Sequence, residues 1–279
     1  MGLRLGIIGY GSIATQALKS VAQAVTHPLE IVCLLAKPEG APRAQALLDS
    51  LGPALAERRL VVTDITAFLE QLPDLVAEAA GHQSLHQYGP TILASGCDLI
   101  ISSVGALADA ELSASIDAAA QAGGARRLIC PGAVGGLELI AAAKLSGLLE
   151  LTYTSRKPPS AWGGTAAEQM VDLRALTAPH QFFEGTARQA ARLYPQNANV
   201  AATVALHGAG FEKTRVRLVA DPGVVRNTHV IALRSACVDM EITIAGLPSP
   251  DNPKTSMTAG FAVAAQIIAV CDEMATRKS

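Results

Sequence analysis

Aromatic and charged side chains are scarce in this sequence: they make up 4% and 16% of its 279 residues. The formal net charge is −2 and the basic residues are scattered, which argues against nucleic acid or an anionic membrane as a partner. No apolar run is long enough to cross a bilayer, and the N-terminus lacks a basic region followed by a long apolar segment, so a cytoplasmic location is expected. The five cysteines, Cys33, Cys97, Cys130, Cys237 and Cys271, are odd in number and far apart. No CxxC or Cys/His ligand spacing appears, so reduced thiols and no metal site are expected. Apolar residues, by contrast, make up half of the chain. That composition supports a sizeable core, and the length suits one large domain or two ordinary ones.

The first fourteen residues are the most informative. An apolar run, residues 3–8, meets Gly9-Tyr10-Gly11-Ser12-Ile13-Ala14 and then a helical pattern through Gln16, Ala17, Leu18 and Val21. A strand, a GxGxxA turn and a helix in that order hold the pyrophosphate of a dinucleotide. Gly9 permits the tight turn, Gly11 lets the backbone approach the phosphates, and Ala14 lets helix pack on strand. Ser12, Ile13 and Ala14 open the helix, whose free N–H groups and partial positive charge favour an anion.

Residues 1–124 read as strands alternating with helices: strands at 29–36, 74–80 and 98–104, helices at 42–51, 82–95 and 109–122. This pattern implies an α/β, Rossmann-type doubly wound parallel sheet. Ligands of such sheets sit beyond the carboxyl ends of the strands, so Ala80 and Ser103 are expected to border the cofactor. The second strand ends in Ala36-Lys37-Pro38 rather than in the acidic residue that binds the ribose hydroxyls of NAD. Lys37 would attract a 2′-phosphate, with Arg43 nearby, so NADP is expected to be accepted alongside NAD. The bland reading makes Lys37 a solvated loop residue.

From 125 to 250 the pattern changes to a second, α+β domain with a mixed or antiparallel sheet: strands at 126–130, 149–155, 213–220, 229–236 and 238–245, helices at 137–145, 189–194 and 200–207. A last helix, 254–275, is expected to pack back on the first domain. Three clusters carry candidate chemistry. In Cys130–Gly136 a glycine turn brings Ala133 toward a ligand, unless it is a plain strand-to-helix connection. In Tyr194–Ala202 two asparagines precede a helix; one is explained by capping, and the amide of the other is left to bind a ligand. In Asp221–His229 a turn-rich loop ends in His229 at a strand start, suited to acid–base work or to a merely satisfied hydrogen bond. His82 is the next candidate, and His27, His86, His180 and His207 read as surface or helix residues. Arg156, Lys157 and Lys254 are candidate anchors for a dicarboxylate, with solvated charge as the bland alternative.

In this order, GYGSIA (9–14), SSVGAL (102–107), PGAVGGL (131–137), TSRKPP (154–159), YPQNANVAAT (194–203), ADPGVVRNTHVI (220–231) and NPKTS (252–256) make the chain resemble the L-aspartate dehydrogenases over nearly its whole length. The resemblance implies an NAD(P)-dependent oxidation of L-aspartate to iminoaspartate, then oxaloacetate and ammonia, with a tie to NAD biosynthesis and a homodimer through the second domain's sheet. It implies His229 as the active-site residue and Ala133 and Asn199 as cofactor contacts. A reductase of the dihydrodipicolinate-reductase or homoserine-dehydrogenase type shares the two-domain plan. A non-catalytic NAD(P)-binding regulator would keep the glycine turn without needing Asn199 and His229.

Overall fold

Short apolar strands, each followed by a helix, build the first of two units in the computed structural model, which describes residues 2–250 and 252–277. The elements run β1 (Arg4–Ile8), α1 (Ser12–Ala24), β2 (Leu29–Leu35), α2 (Ala41–Leu51), β3 (Ala56–Val62), α3 (Ile65–Leu69), β4 (Leu75–Glu78), α4 (His82–Ala94), β5 (Asp98–Ile101), α5 (Ala110–Gly123) and β6 (Arg127–Ile129). The sheet order is β3-β2-β1-β4-β5-β6, and every pairing is parallel. This is the doubly wound order in which the chain reverses direction beside β1, at the place where such sheets bind ligands. The central strands are buried along nearly their whole length, as parallel strands covered on both faces must be. Helix starts are capped where the sequence supplies an acid: Asp64 accepts from the amides of Thr66 and Ala67, and Asp109 from those of Glu111 and Leu112.

Two strands depart from the expectation. β3 has no apolar run at its start; Glu57 and Arg58 are exposed because it is the edge of the sheet. β6 pairs with β5 and so belongs to the first sheet, not to the second domain. The units divide at Cys130/Pro131 and Thr258/Ala259 rather than after 124 and 250.

The second unit contains α6 (Leu137–Gly147), β7 (Leu148–Lys157), α7 (Ala167–Met170), β8 (His180–Thr186), α8 (Ala187–Leu193), α9 (Asn199–His207), β9 (Arg215–Ala220), β10 (Asn227–Ser235) and β11 (Asp239–Gly246). Its mixed sheet runs β11-β10-β7-β9-β8, with β7 parallel to β9 and the other pairs antiparallel. Alternation along β7 and β10 is strict: Leu151, Tyr153, Ser155 and Lys157, and Asn227, His229, Ile231 and Leu233, are buried. The intervening Thr152, Thr154, Thr228, Val230 and Ala232 are half-buried, and Glu241, Thr243 and Ala245 of β11 beside them are exposed.

A hairpin, β12 (Pro248–Ser249) with β13 (Asn252–Ser256), precedes the last helix, α10 (Thr258–Arg277). That helix therefore begins after the expected 254, because residues 252–256 pair as a strand. From Ala259 onward the chain returns to the first unit, where Val263, Ala264, Ile267 and Val270 join the core around Leu5, Ile7, Ala14 and Leu18. At its far end Glu273 accepts from Arg126, at 3.0 Å.

Candidate active site

In the first unit the turn after β1 has the geometry a dinucleotide needs. Gly9 sits at φ +99°, and a Cβ there would lie 2.9 Å from the Ala80 Cβ and 3.0 Å from the Ala79 carbonyl oxygen. Gly11 precedes α1, and a Cβ on it would meet open space. No side chain caps this helix and no acid stands in its first turn. The backbone N–H groups of Ser12, Ile13 and Ala14 therefore point outward uncompensated, and Ala14 is buried against the core. An uncapped helix start behind open space fits a diphosphate.

Beside it lies a cleft of about 520 Å³, within the usual range for small-molecule sites. It is lined by Gly9, Tyr10, Ala36, Lys37, Glu39, Ala80 and Tyr88, among others. Tyr10 lies against Gly40, where any Cβ would strike the ring. The Arg43 guanidinium lies over that ring, 5.6 Å from its centre. Lys37 is exposed at the cleft, as its position after β2 predicts, and Glu39 shares the lining.

Sequence reasoning missed what holds the rim of this cleft together. Glu78 ends β4 and is fully buried. One oxygen accepts from the amides of Ala80 and Gly81, both at 2.8 Å, and from the Ser103 hydroxyl at 2.9 Å; the other accepts from the Ser103 amide at 3.0 Å. Four donors to one carboxylate lock the turn after β4 to the turn after β5. Both hydrogen-bond donors of Ser103, expected to bind cofactor, are directed to Glu78. The signal was present in the sequence as an acid ending an apolar strand just before a glycine.

In the second unit the register of β7 and β10 brings polar groups together. Ser155 stands directly across from His229, with Tyr153 and Lys157 two residues to either side on the same face. His229 is 4% exposed, its Nδ1 lies 2.8 Å from the Tyr153 hydroxyl, and its Nε2 is buried with no hydrogen-bond partner among the described residues. Burial pushes the imidazole pKa down to about 4, helped by the Lys157 charge, so the ring is neutral near pH 7. Lys157 donates to Asn197 Oδ1 at 2.6 Å and rests over the Trp162 ring, 5.1 Å from its centre; burial lowers its pKa to about 8.

The expected cationic anchors separate. Arg156 is on the opposite face of β7 from Lys157, because strand side chains alternate. Its guanidinium lies 3.3 Å from the buried Asp221 carboxylate, which also accepts from the Gly223 amide. The Lys254 side chain lies outside the described residues. Neither asparagine caps α9, whose N-cap is Ala198 and has no side-chain bond. Asn197 instead serves Lys157, and Asn199 is the half-buried first residue of the helix. Ala133 is buried in a turn whose Gly132 and Gly136 have φ of +63° and +74°. His82 opens α4 and is half-buried; His27, His86 and His180 are exposed, the last of them on β8.

Residues 138–269 match the family model described as aspartate dehydrogenase, C-terminal, and residues 9–129 the one described as homoserine dehydrogenase, NAD binding domain. The L-aspartate dehydrogenase of Ruegeria pomeroyi is 42% identical over 95% of this chain and 91% of its own. That of a Polaromonas species is 38% identical over 94% and 95%. The chain belongs to the L-aspartate dehydrogenase family. Among solved structures, aspartate dehydrogenase of Thermotoga maritima shares the fold at a TM-score of 0.73, with 24% identity over 97% of each chain. A dihydrodipicolinate reductase of Paenisporosarcina reaches 0.52 at 14% identity, over 98% of this chain and 94% of its own. Membership of the L-aspartate dehydrogenase family, over both units, weighs against the reductase and regulator readings.

Two measurements probe these assignments. Glu78→Gln sets an amide N–H against the donors of one of the two turns, so it should lower stability by about 1–3 kcal/mol. Urea unfolding reads that loss, and dinucleotide titration should show a Kd raised roughly tenfold, about 1.4 kcal/mol of binding. An unchanged Kd would make Glu78 a matter of folding alone. The second concerns pH. His229 titrates at about 4 in the folded chain against a reference of 6.5. Between those values the unfolded chain binds the extra proton, so acid favours unfolding there. From about pH 7 to about pH 5, wild type should lose roughly 2 kcal/mol more stability than His229→Gln. Equal losses would mean that the ring is not buried as described.

Proposed function

We propose that the chain catalyses the reversible, NAD(P)-dependent oxidative deamination of L-aspartate to iminoaspartate, which water converts to oxaloacetate and ammonia. The observation that carries this reading is the buried His229–Lys157 pair on one sheet face, with an imidazole nitrogen that has no partner among the described residues, in a chain of the L-aspartate dehydrogenase family. When bound, the dinucleotide supplies the hydride acceptor. The start of α1 holds its negative charge. Lys157 receives a substrate carboxylate, its charge supported by Asn197 and the Trp162 ring. His229 orients the water that attacks the imine or handles the amine proton. Arg156, already paired with Asp221, serves that loop first and a second carboxylate only by leaving it. Lys254 stays a candidate on sequence grounds.

The cleft favours accepting both cofactors. Lys37 and Arg43 suit a 2′-phosphate, and Glu39 suits the free ribose hydroxyls of NAD. A homodimer through this sheet would use its outer face, where Thr154, Thr228 and Val230 are half-buried and Thr243 is exposed. A cytoplasmic place and a role in supplying NAD biosynthesis complete the reading.

Reduction of NAD and of NADP, followed by nicotinamide absorbance with a panel of amino acids, tests it. Signal is expected with aspartate and little with other amino acids. His229→Ala should leave dinucleotide affinity intact and cut turnover by roughly 100-fold or more; near-normal turnover refutes the assignment. Lys37→Ala should raise the KM for NADP severalfold, roughly 1 kcal/mol of charge-assisted binding, and leave that for NAD in place. Equal effects on both would return Lys37 to the solvated surface.

A further inference from the structure

The Tyr153 hydroxyl is completely buried, and its ring lies nearly parallel to that of His229, 17° apart in plane with centres 6.0 Å apart. A buried O–H left without an acceptor costs about 1–3 kcal/mol. Among the described residues, the acceptor that this oxygen reaches at hydrogen-bond distance is Nδ1 of His229, at 2.8 Å. The neighbouring Ser155 hydroxyl makes no hydrogen bond among the described residues. A neutral imidazole has one N–H, and the hydrogen bond made by one nitrogen decides which nitrogen carries it. We infer that Tyr153 is a positioning residue: its O–H donates to Nδ1, so His229 keeps its single proton on Nε2 and meets its ligand as a neutral hydrogen-bond donor.

The consequence is chemical. Nε2 is buried and bonded to nothing among the described residues. With a proton on it, it binds an oxygen lone pair, either of a carboxylate or of a water held for attack; it does not remove a proton in the resting enzyme. The charged group on the same face is Lys157, another donor. Two donors, with no acid among the described strand residues of that face, select an anionic oxygen. This deepens the proposed reading of His229, and only its kinetic arm rests on that reading.

Nitrogen NMR of the full-length protein with labelled histidine, at neutral pH and without substrate, reads the tautomer directly. The six histidines are few enough for His229→Gln to identify the signal. The wild type should show one neutral species protonated at Nε2. Tyr153→Phe should give a mixture of tautomers, a kcat lowered about tenfold (about 1.4 kcal/mol), and KM values for aspartate and cofactor within threefold of wild type. A proton on Nδ1 in the wild type overturns the inference, and so does an unchanged tautomer in the variant. If the variant fails to fold, the wild-type spectrum decides alone. If His229→Ala keeps its turnover while the spectrum is as expected, the reaction assignment fails and the tautomer assignment stands.

Discussion

Period-two alternation along β7 is the constraint on which the second unit's chemistry depends. Residues 153, 155 and 157 face one way and 154 and 156 the other, because consecutive side chains of a strand must point to opposite faces. The antiparallel register then sets His229 opposite Ser155. A slip of one residue would carry Tyr153 and Lys157 away from the histidine and bring Arg156 to it. The register is held by burial, since Leu151, Tyr153, Ile231 and Leu233 are each no more than 5% exposed. The apolar packing of the sheet and the geometry of its polar cluster are therefore one requirement.

The first unit meets a different constraint: a loop-rich ligand edge must be kept in shape without a covering element of its own. Gly9 solves part of it by adopting a conformation that brings the β1 turn against Ala79 and Ala80. Glu78 solves the rest, because an ionised carboxylate can accept from several amides at once. Buried carboxylates are costly unless fully bonded, and this one has four donors. The Glu78 side chain thus ties the ligand edge of the sheet to its core, which also explains why Ser103 is occupied there.

Much of this was legible in the residues. The strand, glycine turn and helix at 3–24 combine local signals that agree, and long apolar strands flanked by glycine are hard to misread. β3 was not legible, because an edge strand whose first half holds Glu57, Arg58 and Arg59 carries no buried run; neither was β8, whose His180 and Gln181 are exposed. The assignment of 126–130 to the second domain failed because a strand's sheet is set by its partner, β5, and not by its own composition. His229 and Lys157 could be named from sequence, but not their pairing with Tyr153 and Asn197. Arg156 and Lys157 look equivalent as adjacent cations, and only alternation tells them apart. Asn197 and Asn199 look like caps, because a capping residue and a side-chain ligand have the same chemistry and differ only in where the helix starts.

A buried lysine beside a buried histidine weakens folding, and that cost is informative. Lowering the Lys157 pKa from 10.5 to about 8 means that roughly 3 kcal/mol disfavours its charge in the folded chain. That is a large share of the stability of an ordinary domain. A methionine there would fill the space over Trp162 at less cost. An ammonium held in a low-dielectric site interacts far more strongly with an incoming anion than one in water does. The same burial keeps His229 neutral, and its Nε2 has no partner among the described residues. Both penalties fall on the same face, and in the proposed reading one event, the arrival of an oxygen anion that accepts from each group, relieves them. A purely structural face would have no reason to retain either group; a face built to receive a carboxylate gains from both.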